Sequence, residues 1–372
     1  MLAAMLIHPD IEVTAAADLH RIHTDAFVSE IGGTGYSNIE DLAADRDVDA
    51  IYIATPHQFH ADHVSIAAES GKHVILEKPV ALSLEECDRI IHACESAGVH
   101  LVVGHTASFN PAVVEMRRLI AAGEVGSLSM ISATAYTDFL YRPRRPEELI
   151  TDEGGGIIYN QVPHQVDAAR FVAGGLATSV RAFTFKLDPE RPTEGAYTGL
   201  LAFEDGAAAS LVYSGYDYFD SAELASNQGK DSAQYGSTRR ALTGADTEEE
   251  VARRIDTGFG GNRRVNMSRA GSYLQGELGS FIVTCEGADL RLVPEGVAIY
   301  GNTGFRLVKP AGSRGDASRG PVIDELYYAV LEDRPTVHDG RWAKATMEVC
   351  FAMLESARDQ REITLKHQVP LQ

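Results

Sequence analysis

Lys72-His73-Val74-Ile75-Leu76-Glu77-Lys78-Pro79 is an apolar run that stops on a carboxylate, an amine and a proline. Val74-Ile75-Leu76 is short and rich in β-formers, so it reads as a buried strand. Pro79 has no N–H to give a ladder, and it pushes the residue before it into an extended conformation. Lys78 is therefore expected at the C-terminal edge of a sheet, where ligands bind in open parallel α/β folds. A lone lysine after an edge strand is more often solvated surface. The sequence on either side argues for chemistry instead.

Residues 1–107 alternate short apolar runs with helical segments. Ile11 to Asp18, Val48 to Pro56, Val74 to Leu76 and Leu101 to Gly104 read as strands. Gln58 to Ser70 and Leu84 to Ala97 read as helices, the second with Ser83 and Glu86 in a capping-box spacing. Strand–helix alternation predicts a parallel, doubly wound α/β sheet of Rossmann type, a common frame for dinucleotides. Asp18 closes a strand where an acid accepts the ribose hydroxyls of NAD. The matching G-x-G-x-x-G belongs about 20 residues earlier, and the first glycine is Gly32. Met1 to His8 reads as the second half of the helix after such a loop. The first strand and the glycine-rich loop are thus expected to be absent from the chain as written, through an internal start or a truncated gene.

Composition narrows the class. The chain has 372 residues, enough for two domains, and a formal net charge of -20, which argues against nucleic acid. No apolar run approaches the roughly 18 residues of a membrane helix. Four scattered cysteines without a CxxC fit reduced thiols in a cytoplasm. His57, His60 and His63 recur every third residue, yet no cysteine or carboxylate pair completes a metal set; a loop beside a cofactor is the better reading, with no metal.

Ala54-Thr55-Pro56…His60, Glu77-Lys78-Pro79, and Gly154-Gly155-Gly156…His164…Asp167, with Asp339-Gly340-Arg341-Trp342 near the end, together resemble the Gfo/Idh/MocA family of NAD(P)-dependent oxidoreductases. The resemblance covers nearly the whole chain. It implies a Rossmann domain followed by an α/β domain whose large, mostly antiparallel sheet serves substrate binding and oligomerisation, so a homo-oligomer is expected. It implies that Lys78 contacts substrate and nicotinamide ribose, and that His164 is the acid–base residue. Asn160 stands where many members carry Asp. Thr55, Pro56, His57, His60, Glu77 and Pro79 are expected on the cofactor side, with Asp18. NAD is the expected cofactor, because Asp18 repels a 2′-phosphate; His20 and Arg21 keep NADP open.

The chemistry also stands on residue types. A histidine near neutral pKa suits proton transfer, and a lysine stabilises a developing alkoxide. A helix over Val162 to Val172 would place Asn160, His164 and Asp167 on one face. The domain change is expected near residue 108, with 108–372 forming the second domain. Phe203-Glu204-Asp205-Gly206-Ala207 reads there as a hairpin turn. Tyr141-Arg142-Pro143-Arg144-Arg145-Pro146 precedes the glycine run. Its arginines are candidates for an anionic small-molecule substrate, with Tyr141 and Asp167 beside them; salt bridges to Glu147, Glu148 or a neighbouring subunit are the competing reading. A polar insertion over 215–276 is a lid, an arm or a mobile segment. Pro321 to Glu362 reads as two helices packing back on the body.

Within the family, the arginine stretch and the insertion are similar to the phthalate cis-4,5-dihydrodiol dehydrogenases, which implies oxidation of a carboxylated cis-dihydrodiol to a catechol. A sugar or polyol dehydrogenase, or a non-catalytic binding protein that has lost its cofactor, are the alternatives.

Overall fold

The computed structural model describes residues 1–104, 106–224, 241–242, 244–256, 278–302, 304–310 and 319–372. Most of the expected insertion, including Arg239-Arg240 and Arg263-Arg264, lies outside the described residues.

The first part runs α1 (Leu2–Ile7), β1 (Ala15–Ala17), α2 (Arg21–Glu30), β2 (Thr34–Tyr36), α3 (Ile39–Ala44), β3 (Ala50–Ile53), α4 (His60–Glu69), β4 (His73–Leu76), α5 (Leu84–Ala97) and β5 (Leu101–Val103). All its strand pairs are parallel. Val74, Ile75 and Leu76 are at most 4% exposed, because β4 lies between β3 and β5 and both its faces are covered. Val74 and Leu76 join the cluster holding Val64, Ala67, Cys87 and Ile90. Ile75 faces the other way, toward Val322, Ile323 and Leu326. Ser83 Oγ accepts the Glu86 N–H at 3.1 Å, and Gly98 ends α5 at φ +68°, as the capping pattern predicts. Glu86 reaches back one residue further than a standard box, to the Leu82 N–H.

The sheet is in two pieces. β1 pairs only with β2, and β3, β4 and β5 form a separate ladder; among the described residues no strand joins β1 to β3.

The second part begins with α6 (Pro111–Ala121) and β6 (Leu128–Tyr136), then α7 (Gly156–Asn160), α8 (Val162–Ala173), β7 (Ala177–Phe185), β8 (Ala196–Phe203), β9 (Ala208–Ser214) and α9 (Thr247–Asp256). β10 (Ser280–Cys285), β11 (Ala288–Val293), β12 (Gly296–Gly301), β13 (Gly304–Val308), α10 (Gly320–Glu332), α11 (Gly340–Asp359) and β14 (Ile363–Thr364) complete it. Nine strands order as β13-β12-β11-β10-β6-β9-β8-β7-β14. Only β6 and β9 pair in parallel. The Asp205-Gly206 turn joins β8 to β9, with Gly206 at φ +90°. Alternation puts Ile131, Ala133 and Ala135 inside and leaves Met130, Phe183, Leu200 and Ile282 on an exposed face.

Two returning helices tie the parts together. α10 covers β4 and β5, and α11 packs on β7, α5 and α8. The cleft between the β4 edge and α8 is thereby closed from behind.

Candidate active site

Lys78 follows β4 directly, and its peptide bond to Pro79 is cis. Its Nζ donates to the main-chain oxygen of Asn160 at 2.6 Å. That oxygen is available for a local reason. A continuous helix would give it the N–H of residue 164. The chain instead breaks at Gln161, Pro163 offers no N–H, and the His164 N–H turns to the Gln161 carbonyl at 3.1 Å. The Asn160 carbonyl is left at the C-terminal end of α7, where a cation is favoured. The Asn160 side chain is equally committed: its Nδ2 donates to the Gly154 and Gly156 carbonyls at 3.0 and 2.8 Å.

The glycine run is needed for close approach. A Cβ on Gly155 would stand 2.6 Å from the Glu148 carbonyl oxygen and 2.7 Å from that of Ile150. Gly154, at φ +88°, lies against His57 Nδ1 and Leu82. His57 is thus brought from the end of β3 to the same corner as Lys78. Burial, with His60 and Lys78 beside it, pushes its imidazole down to about 3, so the ring is neutral at pH 7. His60 is fully buried. Its Nδ1 is 2.9 Å from the Pro79 carbonyl oxygen and its Nε2 3.0 Å from that of Thr55, so the ring bridges the loops after β3 and β4. Burial keeps its pKa below the usual range. Glu77 accepts from Tyr52 Oη at 2.5 Å and meets Arg319 at 3.5 Å. Among the described residues no group of His, Cys, Asp and Glu is arranged to hold a metal.

His164 is 2% exposed, on the first turn of α8. Asp167, one turn on, spends both carboxylate oxygens on donors of the protein itself. Its Oδ1 accepts Trp342 Nε1 at 2.7 Å, and its Oδ2 accepts the Ser108 N–H at 3.0 Å and the Ser108 hydroxyl. These donors come from segments distant in sequence, which helical spacing alone does not reveal.

In the arginine stretch the expected alternative of pairs with Glu147 and Glu148 is present. Arg144 is 9% exposed, stacks on Phe139 at 3.9 Å and donates to the Phe139 carbonyl at 2.7 Å. Burial lowers its pKa to about 10. Arg142 pairs with Asp138 at 2.9 Å, and Arg145 with Glu147 at 3.2 Å and Glu148 at 3.4 Å. Tyr141 Oη donates to Asp188 at 2.6 Å. Glu250 of α9 accepts the Arg144 N–H at 2.7 Å and pairs with both Arg191 nitrogens at 2.7 and 2.9 Å. Arg142 and Arg145 thus have acids of the same stretch as partners, while Glu250, 106 residues away, takes the Arg144 main-chain N–H. Arg145 keeps 30% of its side chain exposed.

Sequence reasoning missed Ser108, Glu325 and His338. Ser108 Oγ lies 2.7 Å from His338 Nε2, and His338 Nδ1 lies 2.7 Å from Glu325 Oε2. The adjacent Asp339-Gly340-Arg341-Trp342 motif was the only signal.

Asp18 sits just past β1. Its carboxylate, 40% exposed, accepts from the His20 N–H at 2.7 Å and faces His23 Nδ1 at 3.1 Å. The described residues thus fit the two ends of a dinucleotide: an acid at one strand end for ribose, a lysine at another for the nicotinamide side. No glycine precedes Gly32, so no pyrophosphate contact is assigned.

A parallel sheet whose edge lysine meets the end of α7, next to a helix with a buried histidine, suits a two-domain, nicotinamide-dependent oxidoreductase, and similarity to known proteins decides the class. Residues 1–105 match the model of an oxidoreductase family with an NAD-binding Rossmann fold, and residues 113–229 match the GFO/IDH/MocA C-terminal domain. A 1-carboxy-3-chloro-3,4-dihydroxycyclohexa-1,5-diene dehydrogenase of Comamonas testosteroni is 35% identical over 97% of this chain and 92% of its own. A solved protein of Bordetella bronchiseptica RB50, classed as a dehydrogenase, is 45% identical, with a TM-score of 0.91 over 98% of this chain and 95% of its own. A levoglucosan dehydrogenase in complex with NADH and levoglucosan shares the fold at 18% identity, with a TM-score of 0.73 over 98% and 94% of the two chains. The chain belongs to the Gfo/Idh/MocA oxidoreductase family. It is a dehydrogenase that uses NAD, which sets the non-catalytic reading aside.

Proposed function

We propose that the chain oxidises a carboxylated cis-dihydrodiol of a cyclohexadiene to the corresponding catechol. The observation that carries this is the 35% identity, over nearly the full length of both chains, to a dehydrogenase named for a carboxylated dihydroxycyclohexadiene. The phthalate cis-4,5-dihydrodiol is the narrower candidate within the class.

When bound, NAD supplies the hydride acceptor. Lys78 hydrogen-bonds the oxygen at which negative charge develops, and His164 takes the hydroxyl proton. Asn160 holds the glycine run and presents its carbonyl to Lys78, so the amine is aimed before substrate arrives. Thr55, Pro56, His57, His60, Glu77 and Pro79 line the cofactor side, and Asp18 selects NAD over NADP. Arg145 takes the ring carboxylate, Arg142 standing further out. The domain boundary falls at 107/108. The exposed apolar face of the nine-stranded sheet pairs with a second copy. Four buried free cysteines agree with a cytoplasmic location, and among the described residues no helix is long and apolar enough to cross a membrane.

The test is NADH formation across a panel of carboxylated cis-dihydrodiols, myo-inositol and aldoses, each with NAD and NADP. Turnover of the diol acids is the expected result. Turnover confined to inositol or aldoses overturns the substrate reading.

A further inference from the structure

A buried polar node lies behind the candidate active site, and the reaction described above does not use it. Ser108 is 0% and His338 4% exposed. The hydrogen count there is constrained. The Ser108 hydroxyl has one hydrogen and gives it to the Asp167 carboxylate. Toward His338 the same oxygen therefore accepts, and Nε2 must carry a hydrogen. On the other side, Glu325 Oε1 already accepts the His338 main-chain N–H at 2.7 Å, and its Oε2 faces Nδ1. Taken as an acceptor at both oxygens, Glu325 leaves Nδ1 a hydrogen too. Counted this way the ring is an imidazolium between two carboxylates, the direction in which Glu325 and Asp167 push it.

Its place in the fold gives the charge a use. The His338 carbonyl accepts the Val103 N–H at 2.8 Å, pinning the residue to the end of β5. Phe109 stacks on the ring at 3.7 Å and Phe171 of α8 at 5.9 Å. The node joins the loop after β5, α8, α10 and the start of α11. Asp167 is one turn from His164, and it lines one small cavity together with Lys78 and Thr106. The titratable groups facing the ring are Glu325 from α10, Asp167 from α8 through Ser108, and neighbouring Asp339.

We propose that protonated His338 is a positioning residue for the dehydrogenase reaction: through Ser108 and Asp167 it sets the placement of His164 on α8 against Lys78. The proposal rests on reading Lys78 and His164 as the reacting pair. Loss of the ring proton turns Nε2 or Nδ1 into a second acceptor against an acceptor, and the node loosens. Activity then falls on the alkaline side for a reason outside the substrate.

The experiment compares full-length wild type, His338→Gln, Ser108→Ala and Lys78→Ala. It measures kcat and KM between about pH 6 and pH 10, and NADH binding by fluorescence. Ser108→Ala keeps the main-chain bond to Asp167, so it tests the node even if His338→Gln fails to fold. Both node variants are expected to lower kcat about tenfold or more near neutrality, with KM and NADH binding within about twofold and the alkaline limb lost. An unchanged limb, or a loss of thermal stability with wild-type kcat, overturns the proposal. A wild-type ring whose nitrogen-15 resonances show one bare nitrogen at neutral pH also overturns it, without any turnover. If Lys78→Ala retains wild-type kcat, the reading of the site fails. If Lys78→Ala is inactive and the node variants behave as wild type, the positioning role alone fails.

Discussion

Lys78 and Asn160 meet across the cleft at 2.6 Å, the ammonium on one side bonded to the main-chain oxygen on the other. The partner is a carbonyl, so the bond does not depend on the chemistry of side chain 160. An Asp at that position would leave the lysine anchor in place and change only what surrounds it.

Lys78→Ala is expected to lower kcat about 100-fold or more by removing the donor at the developing charge, while NADH still binds. Steady-state rates and a fluorescence titration on the same preparation check both halves. Wild-type kcat in the variant would remove Lys78 from the reaction.

Asn160→Asp tests the side chain separately. It swaps an amide donor for an acceptor opposite the Gly154 and Gly156 carbonyls. The charged form is disfavoured, so the new carboxyl titrates higher in the folded than in the unfolded protein. Stability then falls as pH rises through the carboxylate range, by about 1–3 kcal/mol. Urea midpoints for the variant at acidic and neutral pH, each compared with wild type, read this directly.

His338 gives the wild-type protein a pH dependence of its own. Burial opposes its charge, but Glu325, Asp167 and Asp339 outweigh it and raise the pKa above the usual 6.5. A raised pKa stabilises the fold fully below the unfolded value and is lost as pH rises through the folded one. Denaturation midpoints should therefore drop on the alkaline side in wild type, and less so in His338→Gln.

Gly155→Ala is expected to destabilise by about 1–3 kcal/mol. The added carbon meets two main-chain carbonyls under 2.8 Å, and neither can swing away as a side chain would. Thermal denaturation checks it; a variant as stable as wild type would mean the 146–150 turn yields.

Some of this was legible in the chain. Val74-Ile75-Leu76 followed by Pro79 announces a buried strand and what must happen to Lys78, because local sterics decide both. Ser83 and Glu86 marked the start of α5 for the same reason. The hairpin at Asp205-Gly206 was equally local. What failed was non-local. Glu148 stood beside the arginines and was open to a local reading, but Glu250, which takes the Arg144 main-chain N–H, folds in from 106 residues away. Asp167 was correctly placed one turn from His164, but its direction is set by Trp342 and Ser108. His338 sits in no pattern of its own; its meaning comes from Ser108, 230 residues earlier.

The His60 ring, wedged between the Thr55 and Pro79 carbonyls, has a mechanical consequence. The loops after β3 and β4 are cross-braced into one stiff edge, so a push on the first is felt at the second. Whatever seats against Thr55 and His57 also steadies the base of the Lys78 side chain. The bracing favours cofactor first and alcohol second, because an amine already held by the Asn160 carbonyl is steadied further once the cofactor is seated. Product-inhibition kinetics would reveal that order as NADH competing with NAD alone.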